Sequence, residues 1–148
     1  MTLKCCRCGK EMKPKNQKVL TWVGRFLVKE TAALPACVDP LCGYVDLTLE
    51  TALEYDRSAS LHVLDVLAHS PPTDAGYRWT LRFIRTALGL EQEQIAQHLG
   101  WKIERVKNPQ TTAEYQAMAL ALNELRGEAK APSERLVEIG PWSALGCT

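Results

Sequence analysis

The sequence predicts an α+β fold that is mostly α: a small β module, a connector helix and an all-α domain in that order. Three observations predict it. Five of the six cysteines lie in the first 42 residues, on either side of two β-favouring runs. From about Thr51 onward the apolar residues recur at helical spacing instead of alternating. Between the two regimes of helix lies Ser70-Pro71-Pro72-Thr73-Asp74-Ala75-Gly76, a breaker-rich stretch that marks a boundary. The expected divisions are 1–47 for the β module, 48–76 for connector helix and linker, 77–127 for the helical domain and 128–148 for a tail.

The β module comes first. Val19-Leu20-Thr21-Trp22-Val23 and Arg25-Phe26-Leu27-Val28 read as strands joined near Gly24, which suits a tight turn. A stretch this short buries little apolar surface, so an independent fold there needs a staple. Next, Thr51 and Glu54 have capping-box spacing. Leu53, Leu61, Leu64 and Leu67 then form part of an amphipathic stripe running to about His69. Behind the linker, helices are expected over 78–88, 92–99, 102–107 and 113–126, the last with an apolar face of Met118, Leu122 and Leu125. The tail is punctuated by Pro and Gly, with Trp142 and Leu145 as docking points. No internal repeat or low-complexity segment interrupts this order.

Composition narrows the class. With 46% apolar and 24% charged residues, the 148-residue chain reads as a globular protein and not a disordered one. No apolar run approaches the ~20 residues that span a bilayer, and no apolar stretch follows the first lysines as in a secretory signal. A cytoplasmic protein is expected. The net charge of +1 hides an uneven distribution. Residues 1–36 carry eight Lys/Arg against two Asp/Glu, residues 39–74 one against seven, and residues 78–108 six against three. Two basic segments therefore bracket an acidic one, a pattern compatible with nucleic-acid contact.

The cysteines carry the most specific signal. Cys5-x-x-Cys8-Gly9 is a knuckle, in which two thiolates converge on one ion and Gly permits the sharp bend. Cys37-Val38-Asp39-Pro40-Leu41-Cys42-Gly43 is a second pair with four intervening residues. Two such pairs around a hairpin predict a tetrahedral four-cysteine Zn²⁺ site of zinc-ribbon type. Four protein ligands leave no open position, so the metal is expected to be structural. Lys4, Arg7, Lys10 and Lys13 offset the thiolate charge. A single iron ion is the rival occupant, because paired Cys-x-x-Cys-Gly knuckles suit it too. Cys6 competes with Cys5, but Cys6-x-Cys8 is too tight a pair, and Cys147 stands alone in the tail.

Within 90–108 the chain has Gln92, Ala96, Gly100 and Val106 at the spacing of a tight two-helix unit. Ala96 lets the second helix approach, Gly100 supplies a positive φ for the turn, and Val106 faces inward. That is the geometry of a helix-turn-helix whose second helix enters the major groove of double-stranded DNA. Lys102, Glu104, Arg105, Lys107 and Asn108 are the outward positions, and Gln92 opens the first helix near a phosphate. Pro109 drives Asn108 out of helical geometry and shortens the second helix.

The two modules in this order resemble the MqsA-like (YgiT-type) family of antitoxins and regulators. The resemblance rests on Cys5-x-x-Cys8, on Cys37…Cys42-Gly43 and on the run Leu81-Arg82-Phe83-Ile84-Arg85-Thr86-Ala87-Leu88-Gly89-Leu90-Glu91-Gln92-Glu93-Gln94-Ile95-Ala96. That run is similar to the family's R-x-x-L-G-L-(S/T)-Q-x-x-(L/A)-A segment. The resemblance implies an Xre/Cro-like DNA-binding domain in a homodimeric repressor acting on a palindromic operator, with a toxin protein partner held by the zinc domain. It implies Cys5, Cys8, Cys37 and Cys42 as metal ligands, with Gln92, Lys102, Lys107 and Asn108 at DNA-facing positions. The sequence departs from the family in its wider second knuckle and in Pro109-Gln110, which replace an aromatic-acidic pair.

Catalysis is not expected. His62, His69 and His98 read as helix-surface residues, no nucleophile has a recognisable base beside it, and no Gly-rich phosphate loop is present. The alternative to a DNA-binding regulator is an adaptor, in which the zinc module docks a protein and the helical domain serves only to dimerise.

Overall fold

In the computed structural model, residues 3–129 and 136–141 are described. Strands β1 (Met12–Val23) and β2 (Phe26–Cys37) form an antiparallel hairpin, paired from Met12↔Cys37 at one end to Val23↔Phe26 at the other. Only Gly24 and Arg25 lie between the last pair. Gly24 takes φ +59 at the first turn position, which a two-residue hairpin turn demands and L side chains resist.

The turn is therefore where the sequence puts it, but the strands are far longer than the apolar runs. The outer half of β1 (Lys13-Pro14-Lys15-Asn16) is exposed and polar, and although β2 buries Leu34 and Ala36 near its end, Thr31 to Ala33 carry no apolar alternation. Pairing continues through them because both strands lead into the cysteine cluster, which holds their far ends in register.

A third strand corrects the reading of 128–148 as a tail. Residues Leu136–Pro141 form β3, antiparallel to β2 from Phe26↔Pro141 to Thr31↔Leu136. The sheet order is β1-β2-β3, so β2 is central. Phe26, Leu27, Val28 and Glu30 of β2 are accordingly all buried. Trp142, Leu145 and Cys147 lie outside the described residues.

Helix α1 (Leu49–His69) starts earlier than the capping-box spacing suggests. Thr48 is the N-cap, and its hydroxyl accepts from the Thr51 N–H at 3.2 Å. Leu61, Leu64 and Leu67 are buried as expected, whereas Leu53 is exposed on the first turns. Four helices follow: α2 (Arg78–Ala87), α3 (Gln92–Leu99), α4 (Ile103–Lys107) and α5 (Thr112–Leu125). Each agrees with its expected span to within a residue at either end. Helix α3 opens with a reciprocal capping box between Glu91 and Gln94, and α5 with one between Thr111 and Glu114.

The boundaries near 47 and 76 do not separate two cores. Val23, Phe26 and Val28 of the hairpin pack into one cluster with Leu64 of α1, Ile84 of α2, Ile95 of α3 and Leu122 of α5. Each such side chain, fully buried, contributes roughly 1.5–3 kcal/mol. Helix α1 is thus a core helix, touching both the hairpin and the bundle. The linker is tied down as well: Pro72 is buried and its carbonyl accepts from Gln116 Nε2 at 3.0 Å, while Asp74 pairs with Arg25 at 3.0 Å.

The hairpin tip and α2 interlock. The Arg25 N–H donates to Thr80 Oγ1 at 3.0 Å, and a Cβ on Gly24 would lie 2.3 Å from Thr80 Cα. Backbone at that distance has nowhere to go. Gly24→Ala is expected to destabilise the protein by roughly 1–3 kcal/mol, through the overlap and the positive φ together. Urea unfolding of the two proteins measures it, and an unchanged midpoint would mean the tip is not seated on α2.

Candidate metal centre and cationic cleft

The hairpin's open end brings the four predicted cysteines together. The Sγ atoms of Cys5, Cys8, Cys37 and Cys42 all lie within 4.8 Å of one another, and they are the only such metal-ligating cluster among the described residues. Cys5 Sγ is 3.7 Å from Cys42 Sγ, and Cys8 Sγ is 3.4 Å from Cys37 Sγ. A tetrahedron with Zn–S bonds of ~2.3 Å has S···S edges of about 3.8 Å. A disulfide would need ~2.05 Å. The spacing therefore fits four thiolates around one ion and no bridge between them.

The local sequence explains the convergence. In the first knuckle the Gly9 N–H donates to the Cys5 carbonyl at 2.8 Å with Gly9 at φ +75, and the Cys5 N–H donates to the Lys10 carbonyl at 2.7 Å. The second knuckle makes a matching turn with a different residue. The Gly43 N–H donates to the Asp39 carbonyl at 3.1 Å, with Gly43 at φ +64. Asp39 thus stands three residues before Cys42, where Cys5 stands before Cys8. Cys37 reaches the site from the end of β2 instead, two residues upstream. The four-residue spacing is an ordinary knuckle whose first ligand has moved onto the strand.

Asp39 works without being a ligand. Its Oδ1 accepts from the Leu41 N–H at 2.9 Å, closing the turn, and its Oδ2 accepts from Lys10 Nζ at 2.8 Å, tying one knuckle to the other. The side-chain pairing raises the Lys10 ammonium above its ordinary range and holds the Asp39 carboxyl below its own. Cys6 is exposed and outside the cluster. His62 and His69 do not join the cluster either.

The thiols differ in how readily they ionise. Burial pushes Cys5 up, but the backbone N–H groups of Cys8 and Arg7 and the neighbouring thiols bring it down to about 7. At Cys37 the Asp39 N–H favours the thiolate, yet burial and three adjacent thiols outweigh it and push the group up to about 12. Metal must therefore displace protons, chiefly from the Cys37 side. Zinc affinity of the metal-free chain is expected to rise with pH between 6 and 8, more steeply below 7, where Cys5 must also be deprotonated. Competition against a zinc-binding dye measures this, and a pH-independent affinity would contradict it.

The second cluster of candidates lies on the helices. Helices α3 and α4 meet at a turn centred on Gly100 (φ +69), with Ala96 and Val106 buried between them. Gln92, Lys107 and Asn108 line one cleft of about 280 Å³. Lys102 is the exposed N-cap of α4 and Glu104 is exposed beside it; neither lines the cleft. Arg105 is exposed, as its outward position predicts, and it is also engaged within the chain. Its Nε donates to Glu114 Oε2 at 2.6 Å, and its guanidinium lies 4.0 Å from the Trp101 ring centroid. Helix α4 spans five residues and ends at Lys107, with Asn108 at φ −133, as Pro109 requires.

Sequence reasoning missed three residues here. Arg78, Arg82 and Arg85 of α2 line the same cleft. Their i, i+4, i+7 spacing places them on one helix face, a signal that was readable.

No protein family, characterised protein or solved structure matches the chain. Among the described residues, no helix is long and apolar enough to cross a membrane.

Proposed function

We propose that this chain is a zinc-stabilised DNA-binding regulator, a repressor of antitoxin type acting as a homodimer on a palindromic operator. One observation carries the reading. Helices α3 and α4 meet at a left-handed glycine over Ala96 and Val106, and the face beside them gathers Arg78, Arg82, Arg85, Lys107, Gln92 and Asn108. A short helix flanked by four cations suits a duplex, which is polyanionic and has a groove of helix width. With α4 only five residues long, phosphate contacts supply most of the affinity and base contacts little. Lys107 and Asn108, at the end of α4, are the residues best set for base edges; Lys102 and Gln92 serve phosphates.

In this reading the four-cysteine centre has no catalytic part. Zinc there supplies charge and cross-linking, while Lys10 and Asp39 hold the knuckles together. A toxin-type protein partner would dock on the metal module, where Val38, Leu41, Leu47 and Leu49 are exposed apolar side chains. These exposed apolar side chains also favour the second reading, an adaptor whose helices only dimerise.

A salt titration separates the two. Affinity for random duplex should fall steeply between ~50 and ~200 mM salt, as released counterions dictate. Lys107→Ala should weaken binding several-fold with an unchanged helical circular-dichroism spectrum. Negligible binding at low salt would overturn the DNA reading in favour of the adaptor.

A further inference from the structure

The arginine cleft has features that contact with a duplex does not need. Arg25, Arg105 and Arg126 each hold a carboxylate at 2.6–3.0 Å. Arg78, Arg82, Arg85 and Lys107 form no ion pair within the described residues, although all four line one hollow, Arg82 also bordering a second beside Trp79. Arg82 rests against the Trp79 ring, and the half-buried Arg85 donates to the Leu90 carbonyl at 2.8 Å. Both contacts orient a guanidinium without neutralising it, and arginine does not shed its proton.

The floor of the hollow is apolar. Leu81, Ile95 and Val106 line it and are all buried, with Met118 beside them. Its origin lies in the sequence. Pro109 stops α4 early and is itself turned inward, its carbonyl accepting from the Tyr115 hydroxyl at 3.1 Å. The chain then leaves for α5, which lends Tyr115 and Met118 to the lining. What remains is a recess of about 280 Å³, more room than an isolated phosphate or carboxylate needs and near the lower end of small-molecule pockets.

We infer that this recess is a binding site for a small organic anion, with a carboxylate or phosphate head held by Arg78, Arg82 and Arg85 and an apolar body over Leu81, Ile95 and Val106. Arginine forks match either head group bidentately, and burial of the body supplies affinity that charge alone does not. A phosphodiester of duplex DNA would engage the cations and leave most of the 280 Å³ recess unfilled, so the recess favours a free anion that carries an organic body. The site requires only the cleft and stands whether or not the protein binds DNA.

The test is calorimetric titration of the full chain, without DNA, using octanoate, octyl phosphate and inorganic phosphate as probes. One equivalent of octanoate or octyl phosphate is expected to bind, with inorganic phosphate at least tenfold weaker. Arg78→Ala with Arg82→Ala should weaken the alkyl anions at least tenfold at an unchanged circular-dichroism spectrum. Arg85→Lys, which keeps the charge and loses the fork, should weaken them less. Three results would overturn the site: no saturable binding of either alkyl anion, equal affinity in the double variant, or inorganic phosphate binding as tightly as octyl phosphate. The last would make the recess a seat for bare phosphate.

Discussion

Four sulfur atoms within 4.8 Å of one another constrain everything in the front half of this protein. Four thiolates that close repel strongly, and four thiols leave a polar cluster with weak donors and few acceptors. A divalent ion would resolve both problems, and it would close a loop that runs from Cys5 to Cys42. An isolated two-stranded hairpin is marginal in water. This one is extended by β3 along Phe26 to Thr31 and held at both ends, one by the cysteines and the other by the seat of Gly24 and Arg25 on Thr80.

That arrangement ties metal to helices through the sheet. Val23, Phe26 and Val28 share their core with α1, α2, α3 and α5, so loss of register at the knuckles would reach the bundle. Helix α1 transmits the same coupling from its other side. Its Ser58 hydroxyl donates at 2.6 Å to Glu30, a fully buried carboxylate on β2. The cationic cleft sits at the far end of this path, on α2 and the end of α4. In the regulator proposed above, a metal held by the four cysteines would be a fold requirement and take no part in the cationic cleft.

Much of this was readable in residues. The helices of 78–126 were legible because their caps, glycines and apolar spacings are local signals. So was the cysteine set, since Cys-x-x-Cys-Gly has few other uses. The hairpin's length was not, because Lys13 to Lys18 and Thr31 to Ala33 have no strand pattern and are paired through their ends. Strand β3 was hidden for the same reason: Leu136–Pro141 looks like loop until β2 offers it an edge. The core shared by hairpin and helices escaped notice because Pro71 and Pro72 mark a break in helix, which is not a break in packing. Arg105 looked outward by helical position alone, and only its distance to Glu114 and Trp101 shows it engaged.

X-ray absorption at the metal edge of the purified full-length chain tests the central claim most directly. One zinc ion per chain is expected, with a single shell of four sulfur neighbours at ~2.3 Å. Substoichiometric metal, an iron edge, or a shell that includes nitrogen or oxygen would contradict it.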